Sequence, residues 1–462
     1  MISYVDLSTR SGFQNRVNPF DDTSKVLTAY VDIDSFDDDF VKKLLFNLDD
    51  GLNVQLISQS ELTKRSIVFE AERNNCLIYR EDVDNTTRYV GVAGIAQIRG
   101  LSLQLQSFGT SEEVAEAIKL SRLAEATGAS LLITENKILL NNPDKSIINR
   151  VAALSLGDAV ATLGLLLRSR EVYEIRLSSF GDVSYSFKHS KWDFFWAASR
   201  QLIYSGWALV SSASQLDSIY GRDLSLTLLA RISSTLKCRD AIQTNVLRSQ
   251  SNNSVEESIF YFEYFLINAT AAFDNLARIV DTVYRPTDKS GKRFKRSNIS
   301  WRSGWFQALK SQYPDIAGVM EGGGKGRDVL EFTATLRNYI HEDGMRGAMH
   351  TSNGKPAAIL IDLPRSSVKS VRPIIDRLWN QSKGLGYPDN ETLMLSINFV
   401  VENLTADIVQ VVNSIVREID FGAVEGFKSE DVKSEEPNDW YAKGHNKEIL
   451  ALIGLDTERS TY

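Results

Sequence analysis

The feature that most constrains this chain is a change in hydrophobic periodicity near residue 190. Beyond it, long segments repeat apolar residues at helical intervals. The segment that begins at Ser254 opens with Ser254 and Glu257 in capping-box spacing. Helices with one apolar face bury it against each other, so a helical bundle is expected over about 190–425. The helical segments are 191–215, 221–248, 254–283, 303–320, 328–342 and 390–418.

Before residue 190 the pattern alternates between strands and helices. Short apolar strands are predicted at 26–33, 51–58 and 129–134, and the stretch 88–106 is also interpreted as strand. Amphipathic helices are predicted between them, at 36–48, 110–129 and 158–170. Such alternation favours a partly parallel sheet with helices on its faces.

The expected fold class is therefore α+β and multidomain. An α/β domain spans 1–180, an all-α bundle spans 190–425, and 428–462 forms an acidic, poorly ordered tail with a short helix at 448–455. The lengths agree with the 462 residues of the chain, which are enough for two or three domains.

Composition excludes several classes of protein. With 52 Lys and Arg against 59 Asp and Glu, the net charge of −7 excludes a globally basic nucleic-acid binder but permits a local basic patch. Two cysteines are too few for a disulfide framework. The first 25 residues lack an apolar core, and no uninterrupted apolar run reaches about 18 residues, so neither a signal peptide nor a membrane span is expected. We expect a cytoplasmic protein.

One pair of residues suggests chemistry. Arg337 and His341 are four positions apart in a predicted helix, so they share a face one turn apart, on the flank of its apolar stripe. A histidine moves protons near neutral pH, and an arginine offers a fixed fork for a phosphate. Together they suit phosphodiester cleavage. The alternative is structural: Arg337 pairs with Glu342 or Asp343, and His341 caps the last helix carbonyls.

The sequence LRNYIHE around this pair, late in a helical bundle, resembles the signature of HEPN domains. Many proteins of that family are metal-independent endoribonucleases of bacterial toxin and anti-phage defence systems, and they typically dimerise around one cleft. The resemblance implies that Arg337 orients the scissile phosphate, Asn338 supports the site and His341 is the general acid/base on the ribose 2′-hydroxyl. The spacing between Arg337 and His341 is shorter than is usual in the family.

A basic segment follows one of the predicted helices. The segment 285–302 interleaves cations with Phe294 and Trp301, as a groove for single-stranded RNA requires. The alternative is an ordinary solvated loop. The candidate RNA-binding residues are Lys292, Arg293, Lys295 and Arg296.

Carboxylates lie near the ends of the amino-terminal strands and on the helix before 129–134. Their order resembles PIN-like nuclease domains, although TEN at 134–136 lacks the closing acid of that family. The resemblance implies a Mg²⁺ or Mn²⁺ site. Helix phase leaves Glu113 as an alternative to Glu116, and the alternative to any site is a set of ordinary surface acids. The candidate metal ligands are Asp32, Asp34, Glu61 and Glu116.

These observations leave three functions open. The favoured one is a metal-independent endoribonuclease of HEPN type that needs no cofactor in its helical domain. It would act on RNA as a homodimer, in a toxin or anti-phage defence setting with an antitoxin or defence partner. The second is a non-catalytic interaction or oligomerisation module. The third is a metal-dependent nuclease in the PIN-like domain.

Overall fold

The structure is a computed structural model. It describes residues 20–21, 27–32, 35–36, 45, 54–58, 69–73, 76–83, 86–141, 151–179, 183–203, 206–216, 220–300, 302–321, 324–342, 344–352, 355–363, 365–379, 385–388, 393–423 and 445–455.

The described strands and helices are numbered in chain order. They are β1 Leu27–Val31, β2 Val54–Ser58, β3 Phe69–Arg73, β4 Cys76–Val83, β5 Thr86–Gly94, α1 Ile95–Gln104, α2 Ser111–Ala126, β6 Leu131–Ile133, α3 Lys137–Asn141, β7 Ala152–Leu154, α4 Leu156–Ser169, β8 Glu174–Ser179, β9 Val183–Lys188, α5 Lys191–Leu202, α6 Gly206–Leu216, α7 Tyr220–Leu247, α8 Asn252–Tyr284, α9 Gly304–Gln312, α10 Pro314–Glu321, α11 Lys325–Glu342, β10 Arg346–Ser352, β11 Lys355–Leu363, α12 Arg365–Trp379, β12 Leu385–Pro388, β13 Leu393–Ser396, α13 Ile397–Glu418 and α14 His445–Leu452.

The amino-terminal part is built on a parallel sheet with strand order β2–β1–β6–β7. Tyr30, Leu132 and Ala153 point to one face and pack with α1, α2 and α3 in a small core. The opposite face joins the large core that continues into the helical region. The α/β architecture expected from the alternation of elements is therefore present.

Helix α4 links the sheet to the helical region. Twelve of its residues are buried, from Leu156 to Arg168, so it is enclosed on nearly every side. Its hydrophobic residues belong to the same core as the parallel sheet and the long helices α7 and α8. The two regions therefore share one continuous core through α4.

The helical region centres on α7 and α8, which a short connection joins and which pack side by side. Helices α11 and α13 pack against α8. The indole of Trp379 lies edge-on to Phe332 and Phe399, and its Nε1 donates to Asp407 at 3.0 Å. Aromatic side chains thus fix the contact between α11, α12 and α13.

The helical region is not all-α, contrary to the sequence prediction. Strands β10, β11, β13 and β12 form an antiparallel sheet in that order. Ile359, Ile361 and Leu395 are at most 1% exposed and join the main core. The described chain therefore has a mixed α+β fold in both of its regions.

Three local predictions also differ from the structure. The stretch predicted as strand over 88–106 divides into β5 and helix α1, whose buried Ile95, Ile98 and Ser102 follow a helical interval. Helix α8 begins earlier than predicted, because its capping box joins Ser251 and Ser254. The short helix predicted in the tail at 448–455 is present as α14, but Ile449 and the apolar residues next to it are buried, so this part of the tail is not poorly ordered.

Helix α14 packs closely on α4. A side chain added at Gly164 would collide with the carbonyl oxygen of Leu452, so the absence of a side chain permits the contact. The same carbonyl accepts a hydrogen bond from Arg168 Nη1 at 2.9 Å. Residues 445–455 are therefore part of the folded core.

Among the described residues, one helix is long and apolar enough to cross a membrane, and it is α13. In its most apolar window 61% is buried inside the protein, as expected of a core helix.

Candidate functional site

Helix α11 carries the candidate catalytic pair, and its first turn is held by an ion pair. Asp328 is 6% exposed, and Arg377 of α12 donates to its two carboxylate oxygens at 2.9 and 2.6 Å. Val329, Phe332 and Leu336 are fully buried, as the apolar stripe predicted. This packing fixes the rotation of α11, and therefore the direction of its other faces.

The other end of α11 is fixed against α8. Gly344 has a left-handed φ of 69°, and its N–H donates to the carbonyl of Tyr339 at 3.0 Å. The next N–H, of Met345, donates to Glu263 Oε1 of α8 at 3.0 Å. This left-handed conformation favours glycine, because any side chain would crowd the neighbouring backbone. His341 thus lies near a helix end that two hydrogen bonds hold, one back to α11 itself and one to α8.

The structure places Arg337 and His341 on the flank of α11, as predicted. Arg337 is half-buried, whereas Asn338 and His341 are exposed. Arg337 Nη1 lies 3.4 Å from Asn338 Oδ1, which is a long hydrogen bond. Among the described residues, the imidazole of His341 makes no hydrogen bond. The pair therefore reaches solvent, and residues one helical turn apart have Cβ atoms about 5–6 Å apart.

A carboxylate from α8 joins this surface. Burial by neighbouring groups raises the pKa of Asp274, although its side chain keeps an exposed edge, and the positive charges of Arg278 and Arg337 oppose that rise. The hydrogen bond from Met345 to Glu263 and the electrostatic interaction of Arg337 with Asp274 show that α8 and α11 run antiparallel. The packed helices α8 and α11 therefore present one polar surface. It contains Arg337, His341, Asp274 and Arg278.

Residues 285–300 of the basic segment form a loop after α8, and Trp301 lies outside the described residues. The Asp288 carboxylate accepts from the Ser290 hydroxyl at 2.6 Å and from the N–H of Lys292 at 2.9 Å. These bonds lower the pKa of Asp288, the Ser290 hydroxyl having the largest effect. Arg293 pairs with Asp281 at 3.2 Å, and Phe294 packs on the core. The four candidate RNA-binding side chains, Lys292, Arg293, Lys295 and Arg296, are all exposed.

This basic loop lies away from the catalytic pair within one chain. It begins after Tyr284, ten residues beyond Asp274, which is about 15 Å along a helix. Arg302 at its end approaches Glu331 at 3.8 Å, six residues before Arg337. A strand of RNA would have to follow α8 and α11 to touch both features.

The amino-terminal candidates lie at the carboxyl edge of the parallel sheet. Asp32 follows β1, and its Oδ2 accepts from the buried Thr134 hydroxyl at 2.7 Å, just after β6. Glu135 Oε1 accepts from the N–H of Leu156 at 3.1 Å, and Asp158 accepts from Ser155 at 2.9 Å. β1 and β6 flank the point where the strand order reverses, which is the usual ligand position in such sheets.

The predicted metal ligands are only partly described. Asp34 and Glu61 lie outside the described residues. Glu116 is on α2, where it pairs with Lys119 at 2.7 Å, and Glu113 closes the capping box with Thr110. Within the described ranges there is no group of three His, Cys, Asp or Glu side chains that could hold a metal ion. The metal site therefore stays a prediction.

Two sets of polar residues escaped the sequence analysis. Ser155 and Asp158 at the sheet edge could have been found, because Ser-x-x-Asp before an apolar run is a local helix-start signal, although the strand before them, β7, was not predicted. A polar cavity next to Arg168 and Asp240 could not, because its residues come from segments far apart in the chain.

The chain was compared with known proteins by sequence and by structure. No family model matches it, and neither a curated protein nor a solved structure does. The function of the protein must therefore be inferred from the geometry of this molecule.

Proposed function

We propose that the protein is a metal-independent endoribonuclease whose active site is built on Arg337 and His341. The observation that carries the proposal is that the two side chains lie one turn apart on an anchored helix and that the imidazole is exposed. Solvent access and fixed geometry are what a general acid/base requires. The HEPN-like resemblance of the motif supports the same chemistry.

In the proposed reaction the ribose 2′-hydroxyl attacks the adjacent phosphorus. His341 takes the proton of that hydroxyl, and the bond from phosphorus to the 5′-oxygen breaks as that oxygen takes a proton from a water molecule. The hydroxide so formed then takes the proton back from His341. The products are a 2′,3′-cyclic phosphate and a 5′-hydroxyl end. Arg337 stabilises the charge that develops on the phosphate oxygens. Asn338 Oδ1 accepts a hydrogen bond from the guanidinium and so helps to hold it in place.

Asp274 and the basic loop have supporting roles in this proposal. The carboxylate of Asp274 holds Arg337 toward α8, since the two side chains interact electrostatically. The exposed cations of the basic loop bind the phosphates of an RNA strand that follows α8.

The test is an RNA-cleavage assay in EDTA with the full chain. The wild-type protein should cleave a single-stranded RNA to cyclic-phosphate products. Arg337→Ala and His341→Ala should each lower the rate about 10²–10⁴-fold. His350→Ala, in strand β10, is the matched control and should cleave at the wild-type rate.

Two results would contradict the proposal. One is an absence of cleavage in any RNA tested. The other is cleavage that EDTA and Asp32→Ala abolish but His341→Ala does not, which would place a metal-dependent nuclease in the amino-terminal domain.

A second candidate function, an interaction or oligomerisation module, is favoured by exposed aromatic side chains on α8. Phe260 is 63% exposed and Tyr264 is 49% exposed, and they lie one turn apart on either side of Glu263, which holds the end of α11. Exposed aromatics on a helix face are typical of protein interfaces. A second copy of the chain bound here would bring two His341 side chains near each other.

Sedimentation of a double Phe260→Ser and Tyr264→Ser variant separates these functions. An oligomer that dissociates while cleavage is lost indicates a site shared between two copies. An oligomer that dissociates in a protein with no cleavage activity indicates the interaction module. Trp192→Ser, on α5 and 55% exposed, is the control and should sediment as the wild type does.

A further inference from the structure

A polar cavity of about 160 Å³ lies where α4, α5, α7 and α8 meet, away from Arg337 and His341. Its lining includes Arg168, Asp240, Lys191, Lys237 and Asn245. The space exceeds that of a single water molecule. The cavity opens to solvent, since Lys191, Glu171 and Glu257 on its lining are exposed.

Two arginines share one carboxylate next to the cavity. Arg168 Nε donates to Asp240 Oδ2, and Arg239 Nη2 lies 3.4 Å from Asp240 Oδ1. Arg168 and Arg239 also donate to the carbonyls of Leu452 and Ile453. These three buried side chains are therefore engaged with each other and with the backbone.

The two lysines beside the cavity are different. Among the described residues, neither Lys191 nor Lys237 has an ion-pair partner. The pKa of Lys237 is lowered, first by burial and then by the positive charge of Lys191, so the two ammonium groups repel each other. Lys191 also stands in the first turn of α5, where the helix dipole disfavours a cation. An anion between them would relieve both effects.

A buried asparagine also belongs to the lining of the cavity. Asn245 is 3% exposed, and its Nδ2 has no hydrogen-bond partner in the described part of the chain. An unsatisfied buried donor costs about 1–3 kcal/mol, so such groups usually have a ligand or a water as partner. A ligand in the cavity that offers acceptor oxygens would satisfy it.

The remaining charged groups leave the site slightly positive. Glu171 and Glu257 are exposed carboxylates on the lining, and Arg248 is a third cation. With Arg168 and Asp240 cancelling, three cations face two carboxylates.

We propose that this cavity binds the phosphate group of a small ligand, with Lys191 and Lys237 neutralising its charge and Asn245 donating to one of its oxygens. Inorganic phosphate and a nucleoside monophosphate carry the same group, and both satisfy the site. The proposal does not depend on RNA cleavage at His341.

Calorimetric titration of the full chain at fixed ionic strength tests the site with sodium phosphate, adenosine monophosphate and adenosine. Phosphate and the monophosphate should bind, whereas adenosine should not. Tighter binding of the monophosphate supports a nucleotide ligand, and equal binding supports recognition of phosphate alone. Binding of adenosine as tight as that of the monophosphate would overturn the proposal, as would no binding of either phosphate compound.

Variants assign the binding to this cavity. Lys191→Met combined with Lys237→Met should weaken phosphate binding at least tenfold, whereas Lys369→Met, on the exposed face of α12, should bind as the wild type does. Asn245→Leu keeps the side-chain volume, so the ligand-free melting temperature should not fall while phosphate binding weakens. Wild-type affinity in both the lysine variant and Asn245→Leu would place the anion elsewhere.

Discussion

The surface formed by α8 and α11 and the carboxyl edge of the parallel sheet both gather polar side chains, but they use them differently. At the sheet edge, Asp32 accepts from Thr134, and Glu135 and Asp158 accept from groups at the start of α4. On α11, Asn338 and His341 are exposed, and His341 has no bond within the described chain. The first set holds elements together, whereas the second is exposed to solvent.

The largest expected effect is at His341, on the exposed surface of α11. His341→Ala should lower RNA cleavage in EDTA about 10²–10⁴-fold. Because the side chain is exposed and makes no bond among the described residues, the free energy of unfolding should change by less than about 0.5 kcal/mol. Urea denaturation alongside the cleavage assay checks both values. A large loss of stability would mean that His341 is a structural cap.

The sheet edge should show the opposite behaviour. Asp32→Ala should lower the free energy of unfolding by about 1–3 kcal/mol, because it leaves the buried Thr134 hydroxyl without this acceptor. Cleavage in EDTA should persist. In urea denaturation, Asp32→Ala combined with Thr134→Val should cost less than the two single changes added together. Additive costs would show that the bond contributes little.

The anchored end of α11 gives a smaller effect. Gly344→Ala should cost about 1–2 kcal/mol, because φ at this residue is 69° and a side chain disfavours that conformation. Gly318→Ala, in the exposed interior of α10 with open space around it, is the control and should stabilise by up to about 1 kcal/mol. Thermal unfolding of both variants checks the difference, and equal shifts would contradict it.

The smallest expected effect is a pH dependence from Asp274. Its raised pKa means that the ionised carboxylate disfavours the folded state. Stability should therefore fall as pH rises from the ordinary carboxyl range through the raised pKa, and Asp274→Asn should remove that fall. At pH 7 the variant should be slightly more stable than the wild type in urea. A less stable variant would show that attraction to Arg278 and Arg337 outweighs burial.

Much of the helical region could be predicted because its signals are local. The buried Val329, Phe332 and Leu336 repeat at helical intervals, so sequence alone gave the face of α11 that Arg337 and His341 flank. The antiparallel sheet could not be predicted. Strand β10 contains Gly347 and Ser352, which have low strand propensity, and its pairing with β11 supplies the stability.

The cavity beside Lys191 and Lys237 was beyond prediction for a related reason. Arg168 bonds to Asp240, which lies 72 residues further along the chain, and to the carbonyl of Leu452, which lies 284 residues further along. No periodicity records such a meeting, since only the packing of α4, α7 and α14 creates it. The basic loop shows the converse: its cations were found by composition, but composition does not give their distance from His341.

The position of α14 has a consequence for synthesis on the ribosome. Arg168 and Arg239 donate hydrogen bonds to the backbone carbonyls of Leu452 and Ile453. Gly164 leaves room for this approach of α14. A nascent chain that has not yet emerged to these residues keeps the apolar side of α4 uncovered. Final closure of the core must therefore wait for residues 445–455, and a chain stalled before them should be a preferred client of chaperones and proteases.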